Sequence, residues 1–153
     1  MEYRSIDPQA RADQMASVTG LGDTSRLTMH DALLAERQFV VTKLRFHFMV
    51  AHAAAADPNA ESMESQAAQL QPLVSEAEAA RDRIVAITGT DVSEVAPVIL
   101  AVNREKAEQD HFDAEWRIEN VPDLEQREVD ALRLMAERAE REIGAIDTWG
   151  DSL

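Results

Sequence analysis

Two stretches of the chain carry the same alternation of apolar and polar positions. Apolar residues recur three and four positions apart in both stretches, in the order Leu70, Leu73, Ala77, Ala80, Ile84, Ile87 and in the order Val129, Leu132, Ala136, Ala139, Ile143, Ile146. This spacing is typical of a helix that packs lengthwise against a neighbour. The pattern therefore predicts a bundle made from two related helical hairpins.

The same period, read together with turn and capping residues, predicts an all-α fold: an up-down four-helix bundle with proline kinks and an N-terminal arm. The helices are expected at about 24–56, 60–88, 91–118 and 122–148. Thr28 and Asp31 have the spacing of a capping box at the start of the first helix. Pro72 is expected to kink or divide the second helix, and Pro97 either kinks the third or marks its first turn.

Residues 1–23 are polar and lack helical periodicity, which predicts a flexible N-terminal arm followed by a single domain over 24–150. One segment of the first helix has a second interpretation. Residues 39–50 begin with β-branched and aromatic residues and then alternate apolar with polar, as a strand would. Nothing else in the sequence resembles a convincing strand partner, so helix is the preferred prediction.

The first predicted helix has two apolar faces, whereas a four-helix bundle needs one from each helix. One face is the expected core face: Leu33, Val40, Val41, Leu44, Phe48 and Ala51. The other is formed by Phe39, Phe46, Met49 and Val50. We expect this second face to contact another subunit, since exposed apolar patches mark interfaces. The alternative is that the first helix is central and is surrounded within one chain.

The third predicted helix has an apolar stripe with a carboxylate inside it. The stripe consists of Val95, Val98, Val102, Phe112 and Trp116, and Glu105 and Gln109 lie within it. A carboxylate that is buried without a partner is costly. Arg37 on the first helix is the predicted partner, so that Arg37 and Glu105 would form a buried polar pair; a partly exposed Glu105 is the alternative.

Glu108 and His111 are spaced as Glu-x-x-His, which places a carboxylate and an imidazole on one side of a helix. The motif and the bundle architecture resemble the ferritin-like di-iron proteins, and this resemblance implies further inward glutamates, for which Glu36 is a candidate. A second motif is missing, because the position that matches Glu108 is Met49, three residues before His52. No metal or other cofactor is therefore predicted, and Glu36, Glu108 and His111 remain weak candidates.

Charge and composition restrict the function further. The chain carries 29 acidic and 15 basic residues, for a formal net charge of −14, and this field repels nucleic acid and anionic lipid. The absence of cysteine excludes disulfides, thiolate metal sites and cysteine nucleophiles. The start of the sequence lacks the apolar core of a signal peptide and no segment is apolar enough to span a bilayer, so the expected location is the cytoplasm.

These observations favour a non-enzymatic structural or adaptor protein that acts by helix-mediated self-association or by assembly into a larger complex, such as a virion or accessory component. The expected partner is another copy or another protein, without direct nucleic-acid contact or membrane insertion. A ferritin-like metal-carboxylate protein is the alternative function. An acidic inhibitor that mimics nucleic acid is a weaker alternative.

Overall fold

The computed structural model describes residues 26–153, which form four helices joined by short turns. Helix α1 spans Met29–Ala54, α2 spans Ala60–Thr88, α3 spans Val95–Asn120 and α4 spans Gln126–Ser152. They pack as two hairpins, α1 with α2 and α3 with α4. The predicted all-α class built from two helical hairpins is confirmed, while the predicted arm over 1–23 lies outside the described residues.

The ends of the first hairpin follow from local capping chemistry. The Thr28 hydroxyl accepts a hydrogen bond from the Asp31 amide, and the Asp31 carboxylate accepts one from the Thr28 amide, which completes the predicted capping box. At the other end, α2 stops at Gly89, whose left-handed φ of 66° is easily adopted by glycine. Residues 39–50 lie within α1, so the strand interpretation is wrong.

The two prolines act differently. Pro72 is exposed inside α2, which continues through it and is not divided. Pro97 lies in the first turn of α3, where its missing amide hydrogen costs no helical hydrogen bond. The predicted start at Asp91 is too early, because the Asp91 carboxylate accepts from the Ser93 amide in a turn and α3 begins at Val95.

Helix α1 is the central element of the described fold. It packs against each of the other three helices, whereas α2 packs extensively against α1 alone. The main core cluster draws Phe39, Val40 and Leu44 from α1 together with residues of all three other helices: Ala77, Ala96, Leu100, Ile146 and Trp149. The other three helices therefore surround α1 rather than closing with it into an even ring.

The side chains of the two hairpins are buried to unequal extents. No residue between 115 and 138 is buried, although this part of the second hairpin contains several apolar side chains. The turn that joins α3 to α4 and the adjoining helical turns are consequently supported mainly by each other. The second hairpin thus has an end that the rest of the described chain leaves accessible.

Candidate functional site

The largest exposed apolar side chains of α3 lie along one face, which we call the outer face of α3. It comprises Val98, Val102, Glu105, Gln109, Phe112 and Trp116. Its four apolar members are 62%, 62%, 61% and 51% exposed, in that order. An exposed apolar residue on its own is ordinary, but a set of four on one helical face is the form that interaction surfaces take.

The buried side of α3 is opposite. Its inner stripe consists of Ala96, Leu100, Ala107 and Ala114. At ~100° per residue the inner stripe and the outer face lie about half a turn apart around the helix. The prediction that the valine and aromatic stripe faces the core is therefore wrong. Alanine side chains let α3 approach its neighbours closely, and this small stripe is the one that the tertiary packing buries.

The spacing along the outer face is regular. Successive members are separated by 4, 3, 4, 3 and 4 residues, the pattern of the a and d positions of a coiled-coil heptad. Leu100, Ala107 and Ala114, which are buried, then occupy the f position, which faces away from a coiled-coil partner. Helix α3 consequently carries a coiled-coil seam that no other part of residues 26–153 covers.

The second face predicted on α1 is largely covered within the chain. Phe39 is 6% exposed in the core cluster, with the Arg81 guanidinium 4.5 Å from the centre of its ring. Phe46 and Met49 are half-buried, and Val50 alone of the four is exposed. Phe39 is therefore a core residue rather than an interface residue, because α1 is surrounded by three helices. The alternative interpretation of a central first helix describes the packing of this face.

Helix α1 buries the carboxylate of Glu36, besides that of Asp31 in its capping box. The Glu36 side chain accepts a hydrogen bond from Arg81 of α2, and Arg81 also binds Asp82. Arg37 and Glu105 are both exposed, so the structure does not bury the pair that the sequence predicted. The sequence pattern predicted the wrong buried side for both residues, since each helix turns a different side to its neighbours than the pattern indicated.

The weak metal candidates do not converge on one site. Glu36 binds Arg81, and Glu108 pairs with Arg104 on the surface of α3. His111 instead meets two other carboxylates: its Nε2 lies 2.9 Å from Oε1 of Glu140 and 3.4 Å from Oε1 of Glu115.

Among residues 26–153, His111, Glu115 and Glu140 form the one group whose potential ligand atoms all lie within 4.8 Å of one another. One imidazole and two carboxylates suit a divalent transition metal such as zinc. The two glutamates are exposed. The sequence could have indicated Glu115, which lies one helical turn beyond His111, but not Glu140, which comes from another helix.

A buried polar network connects the two hairpins. Asp57, in the turn after α1, accepts hydrogen bonds from Nε and Nη2 of Arg138 and from Nη2 of Arg141, each at 2.9 Å, and also accepts one from the Asn59 amide. Hydrogen bonding from Arg138 holds the pKa of Asp57 well below its ordinary value despite burial of the carboxylate. His52 joins the same network, since its Nδ1 accepts from Arg141 Nε at 3.2 Å.

The other ring nitrogen of His52 lies 3.2 Å from Oε1 of Glu142. Because Arg141 can only donate, Nδ1 must be the acceptor and Nε2 carries the hydrogen that reaches Glu142. The network is thus a docking contact between hairpins rather than an exposed reactive group. The sequence contained one signal for it: an aspartate in the helix-ending turn, whose partners lie 81 and 84 residues away.

His47 lies at the contact between α1 and the end of α4, with its ring 5.7 Å from that of Trp149. Burial, together with the nearby Lys43 ammonium, lowers the pKa of His47 from its usual value. Lys43 is itself placed 5.3 Å from the Trp149 ring centre. Lys43 also lies 5.4 Å from the ring centre of Phe39, so these contacts adjoin the second apolar face of α1.

Comparisons with known proteins add no assignment: no protein-family model matches the chain, and neither curated proteins nor solved structures yield a match. Within residues 26–153, none of the helices combines the length and the apolar character needed to cross a membrane. The surfaces and side-chain clusters of residues 26–153 are therefore the features that bear on its function.

Proposed function

We propose that this protein is a non-enzymatic structural or adaptor protein that acts by helix-mediated self-association. The observation that carries the proposal is the outer face of α3, where four large apolar residues are more than half exposed at coiled-coil spacing. Such a face is a surface that a second helix can cover without rearrangement of the chain's own core.

The charge of the chain bears on how such association would work. Two copies with a formal charge of −14 each repel one another at long range, so a contact between them requires local apolar burial to offset the repulsion. Added salt shortens the range of that repulsion. Association through the outer face is therefore expected to strengthen with salt, whereas binding of a basic partner to an acidic surface would weaken.

Sedimentation velocity of the full chain tests the proposal. The informative variant is Val102→Ser combined with Phe112→Ser on α3. Its matched control is Val41→Ser combined with Leu73→Ser on the first hairpin, at residues that are 45% and 49% exposed. Wild type and control are expected to shift from monomer toward a larger species as concentration rises, while the α3 variant stays monomeric with unchanged helical circular dichroism.

Two results would contradict the proposal. The first is a wild-type chain that sediments as a monomer over a hundredfold range of concentration reaching several hundred micromolar, where even a weak specific contact forms. The second is equal loss of association in the control and in the α3 variant, which would indicate non-specific apolar contact.

A second candidate function, a metal-carboxylate protein, is favoured by the cluster of His111, Glu115 and Glu140. It would be a single-ion site on the surface of the second hairpin rather than a ferritin-like pair of ions, because Glu36 and Glu108 are engaged elsewhere. Calorimetric titration of the purified chain with zinc is expected to show one site, lost in His111→Asn and retained in His30→Asn. Absence of saturable binding would remove this candidate.

A further inference from the structure

We propose that the occupant of the outer face of α3 is a second copy of this chain, lying antiparallel across it, with the two-fold axis passing at the level of Ala107. This inference rests on the proposed function and adds the partner, its direction and its register. Closed dimers with a two-fold axis are the commonest soluble oligomers, and each uses the same patch from both copies.

The register follows from the positions themselves. In an antiparallel pair, residues whose numbers add up to 214 lie opposite each other when the axis is at residue 107. Val98 then faces Trp116, Val102 faces Phe112, and Glu105 faces Gln109 of the second copy. Every member of the outer face thereby meets another member. Each residue at heptad position a lies opposite a residue at heptad position d, as in an antiparallel coiled coil.

The composition of these layers supports the same direction. Each apolar layer combines one valine with one aromatic ring, so the layers have similar volumes along the contact, as close packing requires. A parallel pair would instead place Trp116 on Trp116 at one end and Val98 on Val98 at the other. Antiparallel pairing distributes the side-chain volume evenly.

The polar layer distinguishes antiparallel from parallel pairing more strongly than the apolar layers do. Within residues 26–153 the Glu105 carboxylate has no hydrogen-bond or ion-pair partner. Gln109 donates one amide hydrogen to Oδ1 of Asp113 at 2.8 Å, which leaves the second hydrogen of its Nε2 for Glu105 of the other copy. A parallel pair would bring two Glu105 carboxylates together, and like charges cannot share such a layer without cost.

The size of the contact predicts its strength. The two valines and two aromatic residues, all more than half exposed, offer on the order of 400 Å² of apolar surface per copy. Two copies would bury about twice this area before their polar rims are counted, which is less than the roughly 1,200 Å² at the lower end of stable specific interfaces. The dimer is therefore expected to be reversible and dependent on concentration.

Disulfide trapping tests direction and register, and the absence of native cysteine makes single thiols unambiguous. Full-length Glu105→Cys and Gln109→Cys keep all four apolar anchors. Oxidation of their equimolar mixture is expected to yield several-fold more covalent dimer joining the two variants than oxidation of either alone. Glu78→Cys, on the exposed surface of α2, measures collisional cross-linking.

The outcomes separate the two proposals when the same samples are examined by sedimentation. A wild-type chain that associates while the mixture cross-links no better than Glu78→Cys overturns the antiparallel α3 contact and leaves self-association standing. Stronger cross-linking of Glu105→Cys alone than of the mixture shows parallel pairing and also overturns the inference. A strictly monomeric wild type overturns both proposals.

A charge variant provides a second measurement that needs no thiol. Gln109→Glu would place a carboxylate opposite Glu105 in each of the two polar layers, and the dissociation constant is expected to rise about tenfold or more at neutral pH. Glu105→Gln leaves a neutral amide pair and is expected to associate at least as well as wild type. Equal affinities of the two variants would contradict the proposed register.

Discussion

Helices α1 and α3 have the same length, 26 residues, but opposite relations to the rest of the molecule. Helix α1 buries nine residues on several sides, including two carboxylates and an imidazole, and contacts every other helix. Helix α3 buries four residues, three of them alanine, and leaves its valines and aromatic rings outside. The size of an apolar side chain therefore does not decide which side of a helix is buried.

The physical reason lies in the neighbours. Helix α1 is enclosed by α2 and by the second hairpin, so even its polar residues must find partners inside, as Glu36 and His52 do. The inner side of α3 is lined by small residues, which permits close approach of the adjacent helices. Its outer face is then left with large apolar residues and no cover among residues 26–153.

The greatest change in the free energy of unfolding is expected when the same substitution, valine to alanine, is compared between α1 and α3. Val40 is completely buried in α1 and Val98 is 62% exposed on α3. Val40→Ala is expected to lower the free energy of unfolding by about 2.5 kcal/mol, through lost burial and a residual cavity. Val98→Ala should change it by less than about 0.5 kcal/mol in dilute solution. Urea unfolding followed by circular dichroism measures both, and similar losses would contradict the contrast.

The next effect concerns the contact between hairpins. Asp57→Asn removes the negative charge that holds Arg138 and Arg141, and we expect a loss of roughly 2 kcal/mol in the free energy of unfolding at pH 7. Glu137→Gln, a charge-neutralising change on an exposed residue of α4, is the matched control. Destabilisation no greater than in this control would show that the network does not support the docking of α1.

The same variant tests a pH dependence whose sign is defined. Because the pKa of Asp57 is depressed in the folded chain, the unfolded chain binds this proton at higher pH than the folded chain does. The stabilisation is therefore present above pH 3.8, the ordinary value, and is lost as pH falls below it. Urea unfolding at pH 7 and at pH 3 should show a larger drop in wild type than in Asp57→Asn; equal drops would contradict this assignment.

The smallest effect distinguishes two adjacent residues of α1. Glu36→Gln should cost about 1 kcal/mol, because it weakens a buried charge-assisted hydrogen bond to Arg81. Arg37→Gln changes an exposed side chain and should be nearly neutral. Thermal unfolding of the two variants is sufficient to rank them. A greater loss of stability in Arg37→Gln than in Glu36→Gln would support the buried pair of Arg37 and Glu105 that the sequence predicted.

The sequence predicted the helices well, but it predicted the residues of the candidate functional site poorly. Thr28 and Gly89 act through their immediate neighbours, so these two helix ends followed from local chemistry. The residues that matter for association were recognised as an apolar stripe on α3 but assigned to the core. Glu140 and Arg138 could not be connected to His111 and Asp57, because each contact joins positions far apart in the chain.

The sequence alone established the number and type of the helices and some of their ends, since helical period and capping depend on residues a few positions apart. It also determined that α3 carries a seam of coiled-coil spacing. Which face of α3 is buried depended on the packing of the helices, because the burial of a helical face depends on which neighbour approaches it. Packing enclosed α1 on several sides and selected the alanine stripe of α3, and this choice leaves the valine and aromatic seam exposed.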